Sequence, residues 1–265
     1  MDPTARFTEL VAAGSPEPPL DETVLLVAAH VHPELRWGSV ALDAGTVNAS
    51  CDHFEIAIEG EPTHAAYPHL GRDPVLALAE LVVALHARAG RVVDPLWPAS
   101  LNVGVLEAGS AENLIPAEAL ARVAIRAYRH QDRARLRAMV EEVARGVAAA
   151  NGCNVRLALD EGEPPLQNDA AIVRVGRELL RAAELALAPE WRSVGCDDFS
   201  FFSALAPLGM AFVGLRGAPG FAERPLHHPE LLVPDGAVGA VARVQAALYV
   251  AAATVSPDRP HVAAG

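Results

Sequence analysis

Cysteine is scarce in this chain and never locally paired. Cys51, Cys153 and Cys196 are the only three, far apart and odd in number. No Cys-x-x-Cys occurs, so a local thiolate zinc knuckle is excluded. The three read as reduced, half-buried thiols of a cytoplasmic protein. Basic charge is also short. There are 33 acids against 21 bases, for a net charge of -12, and no Lys/Arg run stands out. That balance argues against tracking a nucleic-acid backbone or an anionic membrane surface. The opening MDPTARFTEL lacks the basic and apolar regions of a secretory signal. No uncharged apolar run approaches the ~20 residues of a membrane span, and the longest, near the C-terminus, is interrupted by Arg243 and Gln245. The expectation is a soluble, cytoplasmic protein. Gly-x-Ser-x-Gly, phosphate-loop, His-Glu-x-x-His and dinucleotide-binding patterns are absent as well.

What is present points to a packed core. The 265 residues, 51% hydrophobic and 20% charged, allow one large domain or two ordinary ones. The middle of the chain is the most legible. HFEIAIEG alternates, with Phe54, Ile56 and Ile58 on one face and Glu55 and Glu59 on the other, as a half-buried strand does. Asp73-Pro74 opens a helix with the stripe Leu78, Leu81, Val82 and Leu85, expected to end near Gly90. SLNVGVLEAG and EALARVAIRAY alternate again. A second helix begins near Asp132 and stops at Asn151-Gly152, and CNVRLALD is a fourth strand. Strand, helix, strand, strand, helix, strand is a split, ferredoxin-like α+β unit over residues 50–161.

The flanks differ. TVLLVAA and MAFVGL are apolar runs without alternation, the pattern of strands buried on both faces. GSVAL is a possible third strand. Helices are expected over residues 4–13, 169–187 and 235–253. Residues 1–49 and 162–265 thus read as an α/β domain interrupted by the insert, with fewer strands than a doubly wound sheet usually has.

Several side chains could carry chemistry. His30 and His32 follow the buried run, and His227 and His228 sit in RPLHHPEL. His64 lies in the Gly/Pro-bracketed loop GEPTHAAYP. Imidazole is a common ligand for borderline metals, although a lone strand-end histidine is more often a satisfied polar group. His53, His69, His86, His130 and His261 read as surface or packing residues. Asp197 and Asp198, in GCDDFSFF, could cap a helix or support ligands. Asn113 could donate to an oxyanion or form an Asx turn. Arg126 could fork a carboxylate or lie on a solvated sheet face.

Taken in order, AAHVHPELRWGSV, DHFEIAIEGEPTHAAYPHLGRDP, SAENLIPAEALARVAIR, GCDDFSFF and RPLHHPEL resemble segments of the dinuclear-metal aminoacylase and hippurate hydrolase family, which includes the indole-acetyl-amino-acid amidohydrolases. The resemblance spans nearly all of residues 20–250. It implies hydrolysis of the amide bond of N-acyl amino acids with a divalent metal, zinc or manganese. It implies His30 and His227 as metal ligands and His64 as the lid histidine that polarises the scissile amide. Asn113 and Arg126 fall at substrate-binding lid positions, with Asn113 also at the catalytic centre, and the insert at a lid that forms a homodimer. There are departures. Asp197 stands where the family usually has Glu, and Glu61 where a basic residue is common. In the family a His-x-Asp motif and a Glu-Glu motif, carrying further ligands and the general base, precede the segment of His30. Here only Asp2, Glu9, Glu17, Asp21 and Glu22 do so, in unrelated settings. The chain is therefore expected to be N-terminally truncated and incomplete or inactive alone. The alternative is a non-catalytic dimerisation or acyl-amino-acid-binding module.

Overall fold

The computed structural model describes residues 25–255; the helix expected over residues 4–13 and His261 lie outside them. Along the chain run β1 (Leu26–Arg36), β2 (Ser39–Ala41), β3 (Gly45–Asn48), β4 (Ser50–Glu59), β5 (Thr63–His64), α1 (Pro74–Val92), β6 (Ala99–Ala108), β7 (Leu114–Ile115) and β8 (Glu118–Ala127). There follow α2 (His130–Ala150), β9 (Asn154–Glu161), β10 (Leu166–Asn168), α3 (Ala170–Ala182), β11 (Ala186–Leu187), β12 (Leu208–Arg216) and α4 (Gly236–Val255). The chain divides into two compact units. An inserted unit comprises Asn48–Pro165 and Ser193–Asp197; a flanking unit comprises, among the described residues, 25–47, Leu166–Arg192 and 198–255. The short segment Ser193–Asp197 thus groups with the insert, although it lies beyond the residues 50–161 expected for that unit.

In the inserted unit four antiparallel strands run in the order β6-β8-β4-β9. Alternation decides the faces. Phe54, Ile56 and Ile58 of β4 and Val123 and Ile125 of β8 are buried with Leu78, Leu81 and Leu85 of α1 and Leu136, Met139 and Val140 of α2 in one core. Helix α1 starts where the sequence says: Pro74 is its first residue, and the Asp73 carboxylate accepts from Val75 N and Leu76 N. It does not stop at Gly90. A glycine ends a helix by taking a left-handed φ, which Gly90 does not, so the helix continues to Val92. Helix α2 does stop at Asn151, with Gly152 at φ 66° just beyond.

The same unit buries the carboxylate of Asp52 completely. Asp52, on β4, accepts paired hydrogen bonds from Arg133 (2.8 and 2.5 Å) and Arg137 (2.8 and 2.7 Å) of α2. Burial alone would raise the pKa of Asp52. The two guanidinium groups outweigh it and hold the carboxyl below its ordinary value.

In the flanking unit the six-stranded sheet is built around β12. It pairs in parallel with β1, from Leu26↔Leu208 to His32↔Gly214, and antiparallel with β2; β10, β3 and β11 complete the sheet. The strands expected in TVLLVAA, GSVAL and MAFVGL are present. Strands β3, β10 and β11 have two to four residues, too few for a periodic signal. β1 also runs further than expected. It continues through His30, His32 and Pro33 to Arg36, so both histidines lie within the strand rather than beyond its end. Proline is tolerated there because β1, among the described residues, pairs on one side only. For the same reason its first residues are half-buried, not enclosed on both faces. A register shift lies between His32 and Arg36, where the carbonyl of Arg36 comes so close to Gly214 that a Cβ there would sit 2.0 Å from it.

Helix α3 ends at Ala182, short of the expected residue 187. Glu184 takes a left-handed φ of 56° and turns the chain into β11. By length and composition α4 could cross a membrane, because Arg243 alone does not break its apolar character. Here its buried residues, Val244, Leu248, Ala251 and Ala252 among them, pack toward β1 and α3, and Gln245 Nε2 donates to Val27 O at 3.1 Å.

Candidate functional site

The candidate residues divide between the two units. In the flanking unit, His30 is held on β1. Its Nδ1 lies 2.5 Å from Val31 O. A carbonyl can only accept, so Nδ1 carries a proton, and in the neutral ring the lone pair is then on Nε2, the arrangement a metal-ligating histidine needs. His32 is buried against Trp191, with ring centroids 4.4 Å apart. Desolvation pushes its pKa down, so it stays neutral and serves as packing. His227 is exposed in the loop after β12, with a left-handed φ of 65°. A non-glycine residue held there costs on the order of 1 kcal/mol. The Nδ1 of neighbouring His228 accepts from Glu230 N at 3.1 Å.

A hydrolytic metal centre needs three or more protein ligands, an open position for water and a base. His30 and His227 offer two. Among the described residues, neither belongs to any group of three His, Cys, Asp or Glu donors that could converge on one ion. The described residues therefore do not form a complete cage. Asp198 begins a short 3-10 helix, Asp198–Ala204, in keeping with a capping role.

In the inserted unit, two predicted residues come together. Strands β5 and β7 form a two-stranded ribbon in which His64 pairs with Leu114, and Ala65 N donates to Asn113 O at 3.0 Å. Asn113 is therefore next in the chain to the residue facing His64. The His64 ring is exposed, and its Nδ1 accepts from Ala66 N at 3.1 Å. In the neutral ring the proton then sits on Nε2, a donor that faces solvent rather than the backbone. Tight backbone contacts hold the ribbon's approach. A Cβ on Gly60 or Gly71 would lie 2.2 Å from Arg72 O or 2.7 Å from Glu61 O, respectively.

Arg126 lies elsewhere in this unit. It is on β8 opposite Cys51 of β4, and its Nη1 donates to Val194 O at 3.2 Å. What the sequence reading missed is its company: Cys51, Cys196 and Glu163 gather beside it. Spacing along the chain carries no signal for that meeting.

The chain is thus an α/β unit interrupted by an α+β unit whose loop ribbon carries a histidine. The comparisons agree. Residues 50–151 match the peptidase dimerisation domain. The chain is 31% identical over 219 residues to the N-acetyl-L-cysteine deacetylase of Bacillus subtilis, covering 83% of this chain and 51% of that one. It is 29% identical over 231 residues to the N-acetyldiaminopimelate deacetylase of Bacillus licheniformis, covering 86% and 60%. In fold it is similar to a putative aminohydrolase from methicillin-resistant Staphylococcus aureus, with a TM-score of 0.77 at 19% identity, covering 89% and 59%. It also resembles a dinuclear metal-binding peptidase of the M20 family from Bacillus subtilis, with a TM-score of 0.72 at 22% identity, covering 89% and 58%. The chain belongs to the M20 family of aminoacylases and amidohydrolases. It spans about half to three-fifths of the length of these relatives.

Proposed function

We propose that this chain serves a metal-dependent amidohydrolase that cleaves the amide C–N bond of N-acyl amino acids. In this reading the inserted unit is a ferredoxin-like lid and dimerisation domain, as its βαββαβ order supports. The observation that carries the proposal is the β5–β7 ribbon. It fixes the His64 tautomer with an outward Nε2–H and sets Asn113 beside it. Two such donors suit the oxygen of a scissile amide, whose negative charge grows as water attacks. Arg126 would fork the substrate carboxylate. His30 and His227 would supply two ligands to a zinc or manganese ion, whose chemistry is to activate water and polarise the carbonyl. Since these two do not complete a cage, the chain alone binds an N-acyl amino acid without turning it over. That is the second reading, an acyl-amino-acid-binding and dimerisation module, and the donor census favours it for the isolated chain. The three free thiols fit a reducing, cytoplasmic setting.

The test is acetate release from a panel of N-acetyl amino acids with zinc or manganese added, alongside thermal stabilisation by the same compounds. Stabilisation without acetate is expected. Turnover would show a complete site; neither signal would remove the substrate class. The homodimer is proposed through the lid. Its edge strand β6 exposes Leu106 next to α1, which exposes Leu76 and Val83. Sedimentation should give a dimer, weakened by Val83→Glu.

A further inference from the structure

Three chain segments converge at the start of β4. Cys51 N donates to Glu163 O at 3.0 Å. Gly162 permits this approach, because a Cβ there would lie 2.3 Å from Cys51 O. Ala49 N donates to both Ser193 O (3.2 Å) and Gly195 O (3.0 Å), which brings Cys196 in from a distant part of the sequence. The result is a cluster in which both Sγ atoms and a Glu163 carboxylate oxygen all lie within 4.8 Å of one another. His53, two residues along the same face of β4, places its Nε2 3.4 Å from Cys51 Sγ.

We propose that Cys51, Cys196 and Glu163 form a binding site for one soft divalent cation of the zinc class, with His53 available for a fourth position. The donor set is what such an ion prefers: two thiolates, a carboxylate and an imidazole. The charges also match. Two thiolates and Glu163 carry three negative charges, and Arg126 beside them offsets one. The remaining two are those of a divalent ion. Cys51 is 1% exposed, so the site has a dry wall on one side. A thiol binds such an ion only as the thiolate, so binding releases protons to solvent and strengthens with pH. The site uses none of His30, His64, Asn113 or His227, and shares with the proposed substrate site only the charge of Arg126.

The test is cobalt(II) titration of the full chain under reducing conditions at neutral pH. The readout is the near-ultraviolet thiolate-to-cobalt charge-transfer band. The band should appear at one equivalent and persist in His30→Ala/His227→Ala and in Cys153→Ser. It should vanish in Cys51→Ser/Cys196→Ser, with circular dichroism confirming the fold. Glu163→Gln keeps both thiols, so it decides the matter if the double cysteine variant fails to fold. It should weaken cobalt binding about ten-fold or more. No band in the unaltered chain would overturn the proposal, as would a band that survives loss of both cysteines. A band lost with the two histidines would assign the metal to them instead. A mass lower by two hydrogens, with Cys51 linked to Cys196, would identify a disulfide pair and also overturn it.

Discussion

The two units are made differently. The inserted unit has one continuous core, with two helices lying on the inner face of a four-stranded sheet, and the start of its first helix and the stop of its second agree with its sequence pattern. The flanking unit splits its apolar residues into two clusters about a six-stranded sheet. Its strand β1, among the described residues, pairs only with β12 and is half-buried over most of its apolar run. A sheet closed over by its own helices gathers stability locally, whereas a strand with an open side has backbone groups still to satisfy. The lesson is that the inserted unit should stand as an independent unit while β1 is the weak margin of the flank.

The sharpest way to break that comparison is Asp52→Ala. It leaves Arg133 and Arg137 with their buried partner removed, and should cost the inserted unit about 3–5 kcal/mol in denaturant unfolding. A cost near zero would mean the unit does not depend on this cluster. The same carboxyl gives the unit its acid sensitivity. Its folded pKa lies below the unfolded value of about 3.9. The stabilisation is therefore complete above that pH and is lost as pH falls through the folded value. Asp52→Asn should flatten this acid limb of the stability curve.

Next in size is Leu81→Ala, at a fully buried position of α1, expected to cost about 3 kcal/mol. Val27→Ala, at a half-buried position of β1, should cost only about 1 kcal/mol. Equal losses would erase the contrast. The smallest effect is in native-state hydrogen exchange, where amides of β4 and β8 should outlast those of β1.

The sequence made the insert legible because its strands are half-buried, so that HFEIAIEG and EALARVAIRAY display their faces as alternation. It could not show β3, β10 and β11, which are too short to be periodic. Nor could it show that β1 runs past His30 and Pro33, since a proline reads as a strand end unless one edge is known to be open. Of the candidate residues, the company of His64 and Asn113 follows from a ribbon of two-residue strands that no periodicity marks. Likewise, the absence of Cys-x-x-Cys rules out a knuckle within one loop, but not a cluster assembled from three segments. Cys51, Glu163 and Cys196 are that case.

The measurement that bears most directly on the functional account is calorimetric binding of an N-acetyl amino acid to the purified chain and to His64→Phe. The account predicts binding to the unaltered chain and about ten-fold weaker binding to the variant, the loss expected for one hydrogen bond to a polar ligand. Equal affinity for both would contradict the role given to the His64 ribbon, and no binding to either would contradict the substrate class.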